Sequence, residues 1–300
     1  MTPPSRLTRR SVLGGAAALT GATVLGRPDA ALAQDATDAL RAIEARHDRR
    51  VGLYARNLRT GRALAHRADE RFALCSTFKT FAVGALLDGR LVAPDPQVLD
   101  RRAYYPPSLV RGDLWAPATR RWLAEGYAPT FAEVCEAAIR DSDNGAANLV
   151  VQQLGGPEVV TRLFRDLGDR TSRLDRWEPD MSGYAPGQVL DTATPRSLGT
   201  SFASLLLGRT LACRQRERLL GWLRENRTDP PFRTVLPAGW TIADKTGSGD
   251  YATRNDVGIA WSPSGVPLLV SCLTRADDPA AERLDAPVAE AFTVALEALR

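Results

Sequence analysis

Only two lysines occur in this chain, and both lie in patterns that could support acyl-transfer chemistry. The 300 residues include 37 arginines but only Lys79 and Lys245. A guanidinium stays charged at any ordinary pH, whereas an ammonium can lose its proton and act as a base. Lysines that remain in so arginine-rich a chain are therefore candidates for chemistry.

The first lysine ends the run Ser76-Thr77-Phe78-Lys79, where an apolar segment gives way to a helical pattern. The i, i+3 spacing puts Lys79 on the same helical face as Ser76. A lysine that is neutral, even transiently, can take the hydroxyl proton while the serine attacks a carbonyl, and the N-terminus of the helix offsets the developing charge. The pair predicts a serine nucleophile with a lysine base.

The second lysine lies in the run DKTGSG, residues 244–249, inside a strand pattern. Such a strand can offer a cation to a substrate carboxylate, a backbone N–H to an oxyanion, and a glycine where two backbones approach. Between the two lysines lies Ser142-Asp143-Asn144, at the end of a predicted helix. By itself this tripeptide is equally typical of a helix end followed by a new N-cap.

The elements that must position these residues combine helices and strands. Apolar periodicity predicts strands over 51–57, 62–66, 241–251, 256–261 and 267–274 and helices at 35–46 and 279–300. Within 76–223 it predicts separate helical pieces at 78–89, 131–140, 145–155, 158–168, 197–208 and 215–225, with an irregular stretch over 175–195. The order predicts an α/β (α+β) fold, with an antiparallel sheet flanked by helices and formed by both chain ends, 34–75 and 224–300. An all-helical domain, 76–223, is inserted between them.

The first 33 residues predict a twin-arginine (Tat) export signal. Arg9 and Arg10 precede an apolar stretch over 12–26, and Ala31-Leu32-Ala33 forms a small-x-small cleavage site. The stretch is too short for a stable membrane span. We expect cleavage near Ala33 and a secreted or periplasmic protein without a membrane anchor.

Composition excludes several classes of function. The chain is 44% hydrophobic and 25% charged, which suits a globular protein with a sizeable core. Four arginines and one aspartate give the first 33 residues +3 of the net charge of +4, so no basic surface for nucleic acid is indicated. The two histidines form neither H-x-E nor H-E-x-x-H, and we expect neither metal nor cofactor.

The four cysteines, Cys75, Cys135, Cys213 and Cys272, leave two alternatives open. An even number in an exported protein suggests two disulfides. A Tat substrate, however, folds in the reducing cytoplasm before export, so buried free thiols are equally consistent.

The trio S-x-x-K, S-D-N and K-T-G in this order resembles the serine β-lactamases of class A and the related penicillin-binding proteins. The resemblance extends over nearly all of 40–300. Glu178, in the run RWEPD, matches the loop carboxylate that activates water in class A enzymes and that penicillin-binding proteins lack. Arg176 and Asp191 match the salt bridge that closes this loop. The resemblance therefore implies a β-lactamase acting on small-molecule β-lactams, with a monomer as the default.

The resemblance implies these catalytic roles. Ser76 would be the acylated nucleophile, and Lys79 would accept its proton directly or together with Glu178 through a water. Ser142 would relay a proton to the ring nitrogen, and Glu178 would activate the deacylating water. The backbone N–H groups of Ser76 and Ser248 would form the oxyanion hole.

The resemblance also implies the substrate contacts. Asn144 would bond the substrate's side-chain amide, and Trp115 matches an aromatic gatekeeper, although an ordinary half-buried aromatic is an equal alternative. The substrate carboxylate would be held by Lys245, Thr246 and Ser248 around Gly247, joined by Arg254.

Three departures from the family pattern stand out. Ser182 replaces the asparagine that helps to position the hydrolytic water, so deacylation could be slow. The disulfide partner positions of Cys75 and Cys135 are held by Gly249 and Val83, so neither family disulfide is expected. The alternatives are a penicillin-binding or peptidase-like protein that stays acylated and, in another class, a non-catalytic β-lactam sensor.

Overall fold

This computed structural model describes residues 29–91, 95, 97–110 and 112–300, with side chains from residue 34 onward. The predicted export signal therefore lies outside the described residues, apart from the backbone of 29–33. No helix in the described part of the chain is both long and apolar enough to cross a membrane.

A five-stranded antiparallel sheet, in the order β2-β1-β7-β6-β5, is built from both ends of the chain. A separate pair, β3 and β4, joins the segment before Ser76 to the loop that carries Glu178. In the described residues the strands are β1 (Arg50–Asn57), β2 (Ala63–His66), β3 (Phe72–Ala73), β4 (Thr192–Ala193), β5 (Thr241–Gly249), β6 (Thr253–Trp261) and β7 (Pro267–Arg275).

Helices cover both faces of the sheet. The described helices are α1 (Asp29–His47), α2 (Phe78–Asp88), α3 (Pro117–Ala124), α4 (Phe131–Arg140), α5 (Asn144–Leu154), α6 (Pro157–Asp166), α7 (Pro195–Leu207), α8 (Cys213–Arg224), α9 (Pro231–Thr234) and α10 (Ala286–Leu299). The antiparallel sheet flanked by helices confirms the predicted fold class. Helix α7 lies in the segment predicted as the helical domain but packs on the sheet, with Gly199 against Ser271.

Aromatic side chains mark two apolar cores on opposite faces of the sheet. Phe232 and Phe292 pack beneath the terminal helices with ring centroids 4.5 Å apart. On the helical side, the ring of Phe81 lies 4.4 Å from that of Phe164 and 6.4 Å from that of Phe202. Full burial of one such side chain contributes about 1.5–3 kcal/mol. Helix α2, which begins beside Ser76, runs through the second core and is held rigidly by it.

Several element predictions need correction. Helix α1 begins at Asp29 rather than 35, and β3, β4 and α9 were not predicted. Strand β6 begins at Thr253 rather than 256. Residues 254–256 are polar, which hid the strand pattern, but in the structure they are buried and paired with β7. The closing helix begins at Ala286 rather than 279, where Pro287 suits a first helical turn. Helix α3, which starts at Pro117, was not predicted.

The carboxylate of Glu44 fastens the N-terminal helix α1 to the first hairpin. It accepts the N–H of Val51 at 2.9 Å and the Nε–H of Arg67 at 2.6 Å, and lies 3.2 Å from Nε2 of His66. Burial by itself would raise the pKa of Glu44, but the contacts with His66, Arg67 and Val51 outweigh burial and lower it to about 2.

We expect Glu44→Gln to lower the free energy of unfolding at pH 7. A carboxyl whose pKa falls from 4.5 to about 2 on folding contributes about 3 kcal/mol above pH 4.5. That contribution is lost as the pH falls from 4.5 toward 2, so the gap between variant and wild type should narrow in acid. Urea unfolding at several pH values measures it, with the exposed Glu297→Gln as control. A gap that is independent of pH would contradict the assignment.

Candidate active site

Ser76 lies where the chain turns from β3 into helix α2. A 3₁₀ turn over Cys75–Thr77 runs directly into the helix, so Ser76 lies at the helical N-terminus, as predicted. The side chain is half-buried and lines a cavity of about 880 Å³. Cys75 has φ of +43°, a left-handed conformation for a residue that is not glycine. This strained turn directs Ser76 toward the cavity while Cys75 stays in the core.

The cavity brings together residues from distant parts of the chain. Nine of the eleven predicted site residues line it: Ser76, Trp115, Ser142, Asn144, Glu178, Thr246, Gly247, Ser248 and Arg254. The other two, Lys79 and Lys245, are fully buried behind its wall. Neither lysine therefore forms part of the lining, although direct contact of Lys245 with a substrate carboxylate was expected.

The two lysines converge on Ser142. Nζ of Lys79 donates to the carbonyl of Ser142 at 2.7 Å and to Oδ1 of Asn144 at 2.5 Å, and lies 3.3 Å from Oγ of Ser142. Nζ of Lys245 donates to the same Oγ at 3.0 Å. Ser142 thus links both ammonium groups to the cavity.

Burial sets the acid–base behaviour of both lysines. It lowers the pKa of Lys79, and the nearby carboxylates of Glu178 and Asp143 oppose that shift. Burial also lowers the pKa of Lys245 well below its ordinary value, and the positive charge of Lys79 adds to this effect. At both lysines the neutral amine is therefore more accessible than in water.

Asp143, the middle residue of S-D-N, has a structural role. Its Oδ2 accepts the N–H groups of Ala118 and Thr119, and its Oδ1 accepts the Thr119 hydroxyl and the N–H of Ala146. It therefore caps α5 and ties it to α3. Ser142 is held at φ of +53° beside it. Within S-D-N, the cap interpretation holds for Asp143, while its two neighbours line the cavity.

The loop that carries Glu178 is fastened at both ends. Asn148 on α5 accepts the N–H of Glu178 at 3.0 Å and donates to its carbonyl at 2.9 Å. Arg176 pairs with Asp191 at 2.5 Å, the salt bridge expected from the sequence. Asn148 was not predicted; the available signal was a polar residue four positions after Asn144, on the same face of the helix.

The two carboxylate oxygens of Glu178 have different surroundings. Oε2 accepts the hydroxyl of Ser182 at 3.1 Å. Oε1 lies 3.4 Å from Nζ of Lys79, an ion-pair distance, and receives no hydrogen bond from the described residues. The side chain is buried. One oxygen is therefore fixed, while the other faces the lysine.

Two glycines of β5 allow the strand to approach the nucleophile turn and the Glu178 loop. A Cβ on Gly247 would lie 3.1 Å from the carbonyl of Leu74, and one on Gly249 would lie 2.6 Å from the carbonyl of Ser182 and 2.7 Å from Sγ of Cys75. The predicted close approach at Gly247 is present. At position 249, any residue larger than glycine would displace the loop that carries Glu178.

No disulfide forms among the four cysteines, all of which are described. Cys75, Cys135 and Cys272 are buried, and burial raises the pKa of the Cys135 thiol to about 12. The alternative of free thiols is therefore the one observed. Among the described residues, no group of three His, Cys, Asp or Glu side chains is placed to hold a metal ion.

Arg254 and Trp115 lie at different parts of the cavity wall. The Arg254 guanidinium donates to Oδ1 of Asp285 at 2.5 Å, to the carbonyl of Asp229 at 2.9 Å and to Oγ of Ser248 at 3.3 Å. Trp115 is 61% exposed, and its indole N–H donates to the carbonyl of Asp141 at 2.9 Å. Both side chains are thus held in fixed orientations.

Comparisons with known proteins agree with this geometry. The model of the β-lactamase enzyme family matches residues 35–293. A β-lactamase of Streptomyces fradiae is 45% identical, covering 98% of each chain, and one of Streptomyces lavendulae is 46% identical over 93% of this chain and 92% of its own.

Solved structures give the same result. The β-lactamase of Streptomyces albus G has a TM-score of 0.85 and 42% identity, covering 89% of this chain and all of its own. A class A β-lactamase from Mycobacterium abscessus has a TM-score of 0.81 and 39% identity, covering 88% of this chain and 98% of its own.

Proposed function

The chain belongs to the β-lactamase enzyme family as a serine β-lactamase of class A, and from that premise we propose that it cleaves the β-lactam amide through an acyl-enzyme on Ser76. Water activated by Glu178 then hydrolyses the adduct. The observation that carries the proposal is the position of Lys79, whose buried Nζ contacts Ser142, Asn144 and Glu178 behind the wall that holds Ser76.

In the acylation step, Oγ of Ser76 attacks the lactam carbonyl carbon and its proton passes to Lys79. Burial lowers the pKa of Lys79, which supports a neutral amine as the acceptor. As the C–N bond breaks, the ring nitrogen takes the proton of the Ser142 hydroxyl. Lys79, 3.3 Å from that oxygen, returns a proton to it. The backbone N–H groups of Ser76 and Ser248 stabilise the oxyanion.

In the deacylation step, Glu178 takes a proton from water, which attacks the ester carbonyl, and the proton returns to Oγ of Ser76 as the bond breaks. The Ser182 hydroxyl already occupies Oε2 of Glu178. Oε1 receives no hydrogen bond from the described residues, so we assign the proton transfer from the water to this oxygen. Such general-base catalysis contributes roughly 10²- to 10⁴-fold.

Substrate binding divides between the two ends of the cavity. Arg254, Ser248 and Thr246 meet the substrate carboxylate, while Lys245 acts from behind through its hydrogen bond to Ser142. Oδ1 of Asn144 accepts from Lys79, which leaves the amide nitrogen for a substrate carbonyl. The fixed, exposed indole of Trp115 covers the cavity rim, as a gatekeeper would.

A slowly deacylating, penicillin-binding-like protein is the second candidate, favoured by Ser182. Its short hydroxyl bonds Glu178 directly and lacks the second polar group that an asparagine amide would offer to water. Intact-protein mass spectrometry during a benzylpenicillin time course separates the two. Rapid substrate loss with little lasting adduct supports the β-lactamase, and a lasting adduct on Ser76 supports the second candidate. If the protein neither hydrolyses benzylpenicillin nor forms an adduct, both candidates are wrong.

We expect Glu178→Gln to leave acylation working and to trap the adduct. The amide keeps the size of the side chain but cannot take the proton of water, so deacylation should slow by about 10²- to 10⁴-fold. Mass spectrometry should find one acyl group on Ser76 that persists after mixing, whereas the exposed Glu297→Gln should behave as wild type. Unchanged turnover in Glu178→Gln would refute its role as the base.

We expect Lys79→Arg to lose nearly all acylation, at least about 10²-fold in kcat/KM. Arginine keeps the positive charge but cannot give up its proton. The same change at Lys245, whose observed contact is the hydrogen bond that it donates to Oγ of Ser142, should cost less, because a guanidinium can also donate. Stopped-flow absorbance measures both rates, and thermal unfolding checks that each variant is folded. Full activity of Lys79→Arg would refute proton transfer to this residue.

We propose export through the twin-arginine pathway and a monomeric mature enzyme. The sequence basis is Arg9 and Arg10 before the apolar stretch, with cleavage after Ala33. Replacing both arginines by lysine should retain the protein in the cytoplasm. Sequencing of the exported protein should find Gln34 first, and light scattering should give the mass of one chain. Export of the double variant at the wild-type level would contradict the pathway.

A further inference from the structure

Residues 227–229 of the segment 226–233 line the cavity beside Thr246, and hydrogen bonds tie this segment to β5 and β6. Nδ2 of Asn226 donates to the carbonyl of Asp244 at 3.2 Å, and Arg233 pairs with the carboxylate of Asp244 at 2.6 Å. The N–H of Phe232 donates to Asp256 at 3.2 Å. The segment is thus held in register with the strand that carries Thr246.

The amide of buried Asn226 has only one allowed orientation. Its Oδ1 accepts the backbone N–H of Thr228 at 3.1 Å, and its Nδ2 lies against the carbonyl of Asp244. A backbone N–H can only donate and a carbonyl can only accept. Reversing the amide would break both bonds, so Oδ1 must face Thr228.

This orientation fixes the direction of a chain of hydroxyl groups. Oγ1 of Thr228 donates to Oδ1 of Asn226 at 2.7 Å and lies 2.5 Å from Oγ1 of Thr246. Each hydroxyl has a single proton. Since Thr228 uses its proton on Asn226, Thr246 must supply the proton of the Thr228–Thr246 bond. The Thr246 proton therefore points away from the cavity that its side chain lines.

We propose that Thr228 is a positioning residue that sets the direction of the Thr246 proton and how strongly Thr246 donates to the substrate carboxylate, an inference that rests on the proposed function. As the carboxylate approaches, Thr246 turns its proton toward it, and Thr228 turns its own proton from Asn226 to Thr246. Asn226 keeps the backbone N–H of Thr228 as its donor. No buried polar group loses its last partner, so the exchange is inexpensive.

The relay strengthens carboxylate binding by polarisation. A hydroxyl that accepts a hydrogen bond is polarised and becomes a better donor itself. The bond to the anion is stronger than the neutral bond that Thr246 gives up, so the exchange is favourable. Thr228 itself need not touch the substrate.

The test replaces the Thr228 hydroxyl and measures benzylpenicillin hydrolysis. In Thr228→Val, which keeps the shape but not the hydroxyl, we expect KM to rise about two- to fourfold with kcat unchanged. Thr246 still donates to the carboxylate in this variant, but it no longer accepts a hydrogen bond at the same time, so the charged bond is weaker. Thr228→Ser should restore the wild-type KM. Thr234→Val is the matched control, because the Thr234 hydroxyl donates to the carbonyl of Pro231 in the same part of the chain.

Several outcomes would overturn the inference. They are an unchanged KM in Thr228→Val, a KM in Thr228→Ser as high as in the valine variant, an equal rise in Thr234→Val, or a fall in kcat alone. If thermal unfolding shows that Thr228→Val is not folded, Thr228→Ala is used instead. It removes the hydroxyl without adding a methyl group and must show the same rise in KM. Absence of hydrolysis by the wild type would instead refute the proposed function.

Discussion

Burial of two ammonium groups on either side of one serine hydroxyl is the constraint on which the site depends. Taking an ion out of water costs several kcal/mol, and that cost must be offset by hydrogen bonds and opposite charges. For Lys79, this cost is offset by contacts with Ser142, Asn144 and Glu178. Lys245 has Ser142 and the backbone of Thr246. Every element that supplies one of these partners must therefore be held closely in place.

The supports of the site are mostly polar and lie just outside it. Asp143 fixes the turn of Ser142 with four hydrogen bonds, and Asn148 fixes the backbone of Glu178 with two. Such buried polar contacts are directional, so they specify an arrangement more narrowly than apolar packing does. The apolar cores contribute differently, by making helix α2 and the sheet rigid.

Patterns along the chain predicted most of the fold because they repeat locally. The hairpin β1–β2, helices such as α4 and α7, and strands β5 and β7 follow apolar periodicity, and their bounds lie close to the predicted ones. The error at β6 occurs where buried residues are polar. At β6, Arg254 and Asp256 lie in the strand interior but have the composition of a turn. Their burial depends on partners from other elements, which no local pattern reveals.

Glu178 followed only from the resemblance to class A β-lactamases. The sequence by itself indicated the other candidate reacting groups: a serine with a lysine one helical turn away, and a second lysine in a glycine-containing strand. Residue type and short spacing are enough for that, because they set the chemistry and the local geometry. Only the tertiary structure decided that Lys245 faces Ser142, 103 residues away, and that Thr246 bonds Thr228. Those contacts join segments far apart in the chain, and their hydrogen-bond directions follow from three-dimensional packing alone.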